Sequence, residues 1–226
     1  MILHIYFIQR HIFIELDGNL WLLDTGSSNS FGNIRNLFLG GIQFQLPLNL
    51  PAPIAPFNAE MISKHIGVNC IGLIGMDILG RFDHIIDIGN NQLTISTNEL
   101  EYAGQEVQLS RFGNFTILNA LIANHEYRML FDTGAQISFF LDNAVVNFPY
   151  AGRFIDFNPF HGEFETDIYQ VEVNLNGVVF QLICGSRMPE QLSAGLRIFG
   201  GSGVIGNEML INRVVGFAPR RNLMYI

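Results

Sequence analysis

Cysteine is almost missing from this chain. Two occur in 226 residues, Cys70 and Cys184, with no Cys-x-x-Cys. That excludes a disulfide framework and favours buried free thiols in a reducing compartment over one disulfide. Cations are scarce as well: 12 Lys plus Arg stand against 20 Asp plus Glu, giving a net charge of −8 and a pI near 5.1. Counterion release from a phosphate backbone needs clustered cations, so nucleic acid is not the expected partner. Long apolar runs are absent too. The opening MILHIYFI is far shorter than a membrane span and lacks the basic n-region and small-residue cleavage site of a secretory leader. The expectation is a cytoplasmic protein with no membrane partner, in which the sequon Asn114-Phe115-Thr116 has no use. Charged residues make up 14% of the chain and hydrophobic ones 49%, which permits a sizeable core and excludes disorder.

Several chemistries lack their residues. The six histidines, His4, His11, His65, His84, His125 and His161, include no His-x-x-x-His and no Glu-flanked pair. They read as scattered surface or flap positions, with no metal expected. Ser27, Ser28 and Ser202 have no G-x-S-x-G setting, and neither cysteine has electropositive neighbours in sequence. Gly201-Ser202-Gly203-Val204-Ile205-Gly206 matches a dinucleotide-binding pattern. The second strand and distant acid that this fingerprint requires do not fit into the remaining residues, which contain Pro219. No cofactor is expected. Asp77, Asp83 and Asp87 read as solvated or capping carboxylates, and Trp21 as a packing residue.

What the chain does contain is one tripeptide twice, each time behind an apolar run: WLLDTGSS from Trp21 and MLFDTGAQ from Met129. A carboxylate at the end of a strand-like run faces desolvation unless it is satisfied or working. The Thr hydroxyl can donate and accept, and Gly lets the backbone bring N–H groups close to the acid. A single such tripeptide is no more than a strand-ending turn. Each copy, however, is followed by a second matching element, LIGMDIL from Leu73 and VIGNEML from Val204, in which an apolar pair and a Gly open a short helical pattern. Each copy closes on a matching strand ending at Ile95 or Ile226, and each acid-bearing strand follows a turn, at Asp17-Gly18 or Asn124-His125. The chain is an internal duplication.

This pairing resembles the aspartic proteases, retroviral-type and pepsin-like, over nearly the whole chain. Each half is about the length of a retroviral-type protomer, so the chain resembles two such protomers fused. It is shorter than pepsin-like enzymes and, unlike most of them, lacks a disulfide framework. The resemblance implies an all-β, two-lobed acid-protease fold with pseudo-twofold symmetry, each lobe a small closed barrel-like unit with one short helix. The loop Glu99 to Gly104 separates the lobes, 1–104 and 105–226. A monomer is expected, because both lobes lie in one chain.

Along the first half, Ile2 to Leu16 reads as strand, and Asp17-Gly18 is a hairpin signal that places the first acid at the end of a second strand. LFLGGIQFQLPLNL reads as further strand, PAPIAP as a surface connection, AEMISKHI as one or two helical turns, and HIIDIGNNQLTIS as a hairpin. The second half has 23 more residues between its two motifs, Asp132 to Gly206, than the first has between Asp24 and Gly75. The resemblance identifies the excess as a flap at about 153–172, contributed by the second lobe, with the first lobe's flap lost or shortened.

Residue by residue, the resemblance implies that Asp24 and Asp132 form a catalytic dyad sharing one proton. Thr25 and Thr133 bond reciprocally between the two loops, and Gly26 and Gly134 present N–H groups to the acids. Leu22 and Leu130 line the cleft, and Phe160, His161 and Gly162 cover substrate. Ser27 follows the first triplet and Ala135 the second, and the Ser27 hydroxyl is expected to donate to the outer oxygen of its carboxylate. The implied activity is metal-free endopeptidase cleavage of peptide or protein substrates. The alternative is a catalytically silent peptide-binding module of the same fold.

Overall fold

In the computed structural model, residues 1–50, 57–158 and 161–226 are described. The first half opens with β1 (Ile2–Ile8), β2 (His11–Leu16) and β3 (Asn19–Leu23), a meander of antiparallel strands. Asp17 and Gly18 both adopt positive φ (50° and 74°), the backbone of a tight two-residue hairpin turn, and they deliver Asp24 directly after β3. Next come β4 (Phe31–Gly32), the hairpin β5 (Asn36–Leu39) and β6 (Ile42–Gln45), and the short pair β7 (Asn49–Leu50) and β8 (Phe57–Asn58). The PAPIAP connection lies outside the described residues.

Helix α1 (Ala59–Ile66) is capped at both ends. Asn58 accepts from the Met61 N–H, and Gly67 closes the helix at φ 75°. Strand β9 (Gly72–Ile74), the one-turn helix α2 (Met76–Leu79) and the hairpin β10 (Asp83–Asp87) and β11 (Gln92–Ser96) complete the half.

The second half repeats this order. Strands β12 (Glu106–Phe112), β13 (Phe115–Ile122) and β14 (His125–Phe131) lead to Asp132, and the turn before β14 is Ala123-Asn124, one residue earlier than the sequence suggests. After β15 (Ser138–Phe140) and a 3₁₀ turn (Asn143–Asn147), the long hairpin β16 (Tyr150–Asn158) and β17 (Gly162–Leu175) runs into β18 (Val178–Gly185). Helix α3 (Glu190–Ile198), β19 (Gly203–Ile205), a 3₁₀ turn (Asn207–Leu210), β20 (Val214–Ala218) and β21 (Leu223–Tyr225) end the chain.

Among the described residues the architecture is mainly β, with 51% in strands and 15% in helices, and it contains no barrels. The expected closed barrels are therefore corrected. Each half leaves an open edge, and the two edges pair with each other across the halves. β10 and β20 run antiparallel, from His84↔Phe217 to Asp87↔Val214, so an antiparallel ribbon in the order β1-β11-β10-β20-β21-β12 passes from one half to the other. That order reads alike from either end. The expected one helix per half also understates the helical content, since α1 and α2 both fall in the first half.

Beneath the ribbon one apolar cluster extends from Leu3 and Ile12 to Val215 and Met224. Trp21 is fully buried in it, as a packing residue should be, and Gly32 and Gly72 leave room for its ring. Asp83 is not solvated. It is fully buried and binds Arg220 (2.8 Å) and Arg221 (2.6 Å), tying the halves together, whereas Asp77 and Asp87 accept from the local N–H groups of Ile78 and Asn90. His84 is buried beside Phe217, its Nδ1 3.1 Å from that residue's carbonyl. Both cysteines are free and buried. Among the described residues no helix is long and apolar enough to cross a membrane.

Candidate active site

Each acid is positioned by a parallel strand pair. β3 pairs with β9 (Leu23↔Ile74) and β14 with β19 (Phe131↔Ile205), and the N–H groups of Asp24 and Asp132 donate to Ile74 and Ile205 carbonyls, both at 3.0 Å. The apolar-apolar-Gly elements thus form the strand behind each acid loop. Their glycines are required by close approach. A Cβ on Gly75 would sit 2.8 Å from the Ser27 and Asn29 carbonyl oxygens, and one on Gly206 would sit 2.6 Å from the Ile137 oxygen. Ser30 and Ser138 hydroxyls accept from the N–H groups of Gly75 (2.8 Å) and Gly206 (3.1 Å), so these joints match too.

Between the loops the two threonines interlock. Thr25 N–H donates to Thr133 Oγ1 (3.0 Å) and Thr133 N–H to Thr25 Oγ1 (2.9 Å). The two hydroxyls donate onward to the Phe131 (2.9 Å) and Leu23 (2.8 Å) carbonyls. Both side chains are essentially fully buried, so four bonds with every partner satisfied hold the loops at one separation.

That separation brings the acids together. Gly26 N–H donates to Asp24 Oδ1 and Gly134 N–H to Asp132 Oδ1, both at 2.8 Å, with Ala135 N–H adding a bond at 3.2 Å to the second. Each glycine also faces the opposite acid. A Cβ on Gly134 would lie 2.7 Å from Asp24 Cγ, and one on Gly26 would overlap the Asp132 carboxylate. The carboxyls open on the cavity but are otherwise enclosed by protein. Enclosure, reinforced by the Asp132 charge, pushes Asp24 well above the usual carboxylate range. Burial also raises Asp132, against the opposing N–H bonds and the bond from Asp24. Two facing acids in this setting cannot both ionise readily.

The cavity above them has a volume of about 370 Å³. Leu22 is in its wall as expected. Leu130 is not. It is buried with Ile117 and Ile137 in the apolar layer behind Phe139 and Val204, which are the wall on that side. The β16–β17 hairpin lies where the flap is expected and roofs the cavity, but not with the residues expected. Asp156, Phe157, Asn158 and Phe164 reach the cavity, whereas His161 and Gly162 lie beyond it in the turn, His161 exposed and Gly162 at φ 93°. The hairpin is long enough for its turn to pass the cleft, so the strand residues before and after the turn form the roof. Phe160 lies outside the described residues. In the first half, β7 ends as many residues beyond Asp24 as β16 ends beyond Asp132, and this two-residue pair adds Leu50 and Phe57 to the wall.

The expected bond from Ser27 to the dyad is absent. Its hydroxyl donates to the Asn29 carbonyl at 2.8 Å, because the loop turns that side chain back along its own backbone. Two of the histidines read as scattered surface or flap positions are in the cavity wall. His11 is buried beside the Gln136 amide, and burial pulls its imidazole down to about 4 despite a contact with the Gln9 carbonyl, so the ring is neutral at pH 7. His65, on α1, stacks on Phe157 of the roof with ring centroids 3.8 Å apart. Burial lowers its pKa, with the Glu163 charge acting the other way. Neither position carries a motif. His11 starts β2 after a turn at Gln9-Arg10 that reaches the other half, where Arg10 donates to the Gln136 carbonyl and Asn207 Nδ2 donates to the Arg10 carbonyl.

Among the described residues no three His, Cys, Asp or Glu side chains converge as metal ligands. Cys70 and Cys184 are raised by burial and stand apart from the cavity wall. Compared with protein-family models and with curated proteins, the sequence has no match.

Proposed function

We propose that this protein is an aspartic-type endopeptidase, a single-chain, two-lobed counterpart of the retroviral-type and pepsin-like enzymes. The observation that carries the reading is the mutual placement of the acid loops, in which each Asp-Thr-Gly glycine faces the other loop's carboxylate while the two threonines bond reciprocally. A merely structural pair of turns has no need to bring two carboxyls into one enclosed, proton-sharing site.

In the proposed reaction a water sits between Asp24 and Asp132. The ionised acid removes its proton as oxygen attacks the scissile carbonyl, and the protonated acid donates to the carbonyl oxygen. The tetrahedral diol then collapses: one diol hydroxyl returns its proton to the ionised carboxylate, the carbon–nitrogen bond breaks, and the proton of the other carboxyl passes to the leaving amine. The rigid loops keep the acids at one separation through the cycle, so little reorganisation accompanies charge movement. The β16–β17 roof moves to admit substrate and returns to exclude bulk water. The apolar wall, including Leu22, Phe57, Phe139 and Val204, suits hydrophobic side chains.

The test is incubation with a denatured-protein mixture, with the cuts mapped by mass spectrometry. Cuts made by the wild type and not by Asp132→Asn are expected. An equal cut pattern from both proteins, or none from either, overturns the reading.

A further inference from the structure

The roof carries a third carboxylate into the cleft. Cross-strand partners on β16 and β17 sort the hairpin into two faces, because side chains alternate along each strand. Arg153 stands opposite Asp167, and Ile155 opposite Glu165. Arg153 binds Glu165 at 3.1 Å and Asp167 at 3.4 Å on that solvent-facing side. Phe154 and Asp156 belong to the other face, with Asp156 directly opposite Phe164. Phe154 and Phe164 pack against the apolar layer of Ile117, Phe139 and Val204, and Asp156 and Phe164 are part of the cavity wall.

Glu165 and Asp167 on the outer face therefore have a cation, whereas among the described residues Asp156 on the inner face has none. Among the described residues, Asp156 accepts one hydrogen bond, from the Phe157 N–H at 2.8 Å, and no Lys or Arg is in the cavity wall. Burial, with a smaller push from the Asp132 charge, raises its carboxyl to about 6 against the Phe157 bond, so at pH 7 it is mostly ionised. A half-buried anion without a cation is costly, and the cost falls when a ligand supplies one.

We propose that Asp156 is a specificity-determining residue that selects substrates with Lys or Arg beside the scissile bond, the apolar wall around Phe139 and Phe164 taking the aliphatic stem and the carboxylate the cationic head. Lys and Arg have this division of apolar stem and charged tip, which a Leu or Phe side chain lacks. The inference rests on the endopeptidase reading of the site.

Two arms keep that reading and this inference separately testable. In the first, wild type and Asp156→Asn digest a denatured-protein mixture and the cuts are mapped. The readout is the enrichment of Lys and Arg at one flanking position relative to the mixture, not total activity. An enrichment of about tenfold that falls to background in Asp156→Asn is expected, the size of one charge-assisted bond. No basic enrichment in the wild type, or enrichment that survives the substitution, overturns the inference. In the second arm, matched dodecapeptides with one central Lys or norleucine are titrated by fluorescence anisotropy against Asp132→Asn and against the same variant carrying Asp156→Asn. Tighter binding of the Lys peptide that is lost with Asp156→Asn supports the inference even where no cuts occur. Equal affinity for the two peptides, or a preference that survives Asp156→Asn, overturns it.

Discussion

The two halves share a plan down to single hydrogen bonds at the acid loops and part company wherever the cleft is walled. Ile74 and Ile205, Ser30 and Ser138, and Thr25 and Thr133 make equivalent bonds. Away from these joints the same positions hold different chemistry. β2 begins with His11 where β13 begins with Phe115, and both face the cavity. Met76 follows Gly75, whereas Asn207 follows Gly206 and donates to the Arg10 (2.7 Å) and Thr133 (3.1 Å) carbonyls. The first half ends its lid position in a two-residue pair; the second extends a hairpin through Asn158 and Gly162. The two copies thus keep the same acid-loop joints and divide the cavity wall between them. One half supplies a histidine-bearing wall, and the other supplies the β16–β17 roof.

The largest expected effect tests the shared part. Asp24→Asn and Asp132→Asn should each reduce peptide hydrolysis at least about 10³-fold, because each removes one half of a single acid–base pair. If only one substitution is severe, the two acids are not equivalent members of a dyad. Stability should move the other way. A carboxyl whose folded pKa is raised contributes stability below its unfolded value and loses it as pH rises through the folded value, so at pH 7 these acids are a burden. Urea denaturation of Asp24→Asn at pH 7 should show stability no lower than that of the wild type.

Next in size are the interlocked threonines. Thr25→Val and Thr133→Val should each lower stability by about 2–4 kcal/mol, since each leaves a buried N–H and a carbonyl without a partner. The comparison predicts nearly equal losses. A large inequality in denaturant midpoints would break the symmetry at its strongest point.

Asn207→Met makes the second half like the first at this joint. It should cost about 1–3 kcal/mol by leaving the Arg10 and Thr133 carbonyls short of a donor, whereas Met76→Leu should cost less than about 1.5 kcal/mol. Denaturant titration of both variants reads the contrast directly.

Acid titration separates the ribbon between the halves from the acid loops. Burial opposes ionisation of Asp83, but Arg220, the Leu100 N–H and Arg221 hold its carboxyl below the usual range. A depressed folded pKa contributes stability above the unfolded value of about 3.9 and loses it as pH falls through the lower folded value. The wild type should therefore weaken below about pH 4, and Asp83→Asn should flatten that limb while lowering stability at pH 7. The smallest effect is at the loop difference itself. Ser27→Ala should leave the acidic limb of the pH–rate profile unmoved, because the hydroxyl donates to Asn29 and not to the dyad. A shift of that limb would show that the hydroxyl turns toward the carboxylate during turnover.

The sequence by itself determined the duplicated motifs, the acid-loop turns and the first hairpin, because these depend on local chemistry. Asp17-Gly18 dictates a hairpin turn, Asn58 and Gly67 bound a helix, and Asp-Thr-Gly after an apolar run brings N–H groups to its own carboxylate. The lengthened stretch after Asp132 likewise marked the roof hairpin. Only the tertiary structure decided which strands close on which. Whether β10 turns back into its own half or pairs with β20 depends on partners more than a hundred residues away, and no local pattern distinguishes the two. The same holds for the cavity wall. His11, His65 and Asp156 carry no motif, and each reaches the cavity wall beside a residue that is not its chain neighbour: Gln136, Phe157 and Phe164. Leu130, chosen by its offset from the acid, and His161, chosen from the lengthened stretch, missed the wall because strand length and turn position set which side chains reach a cavity.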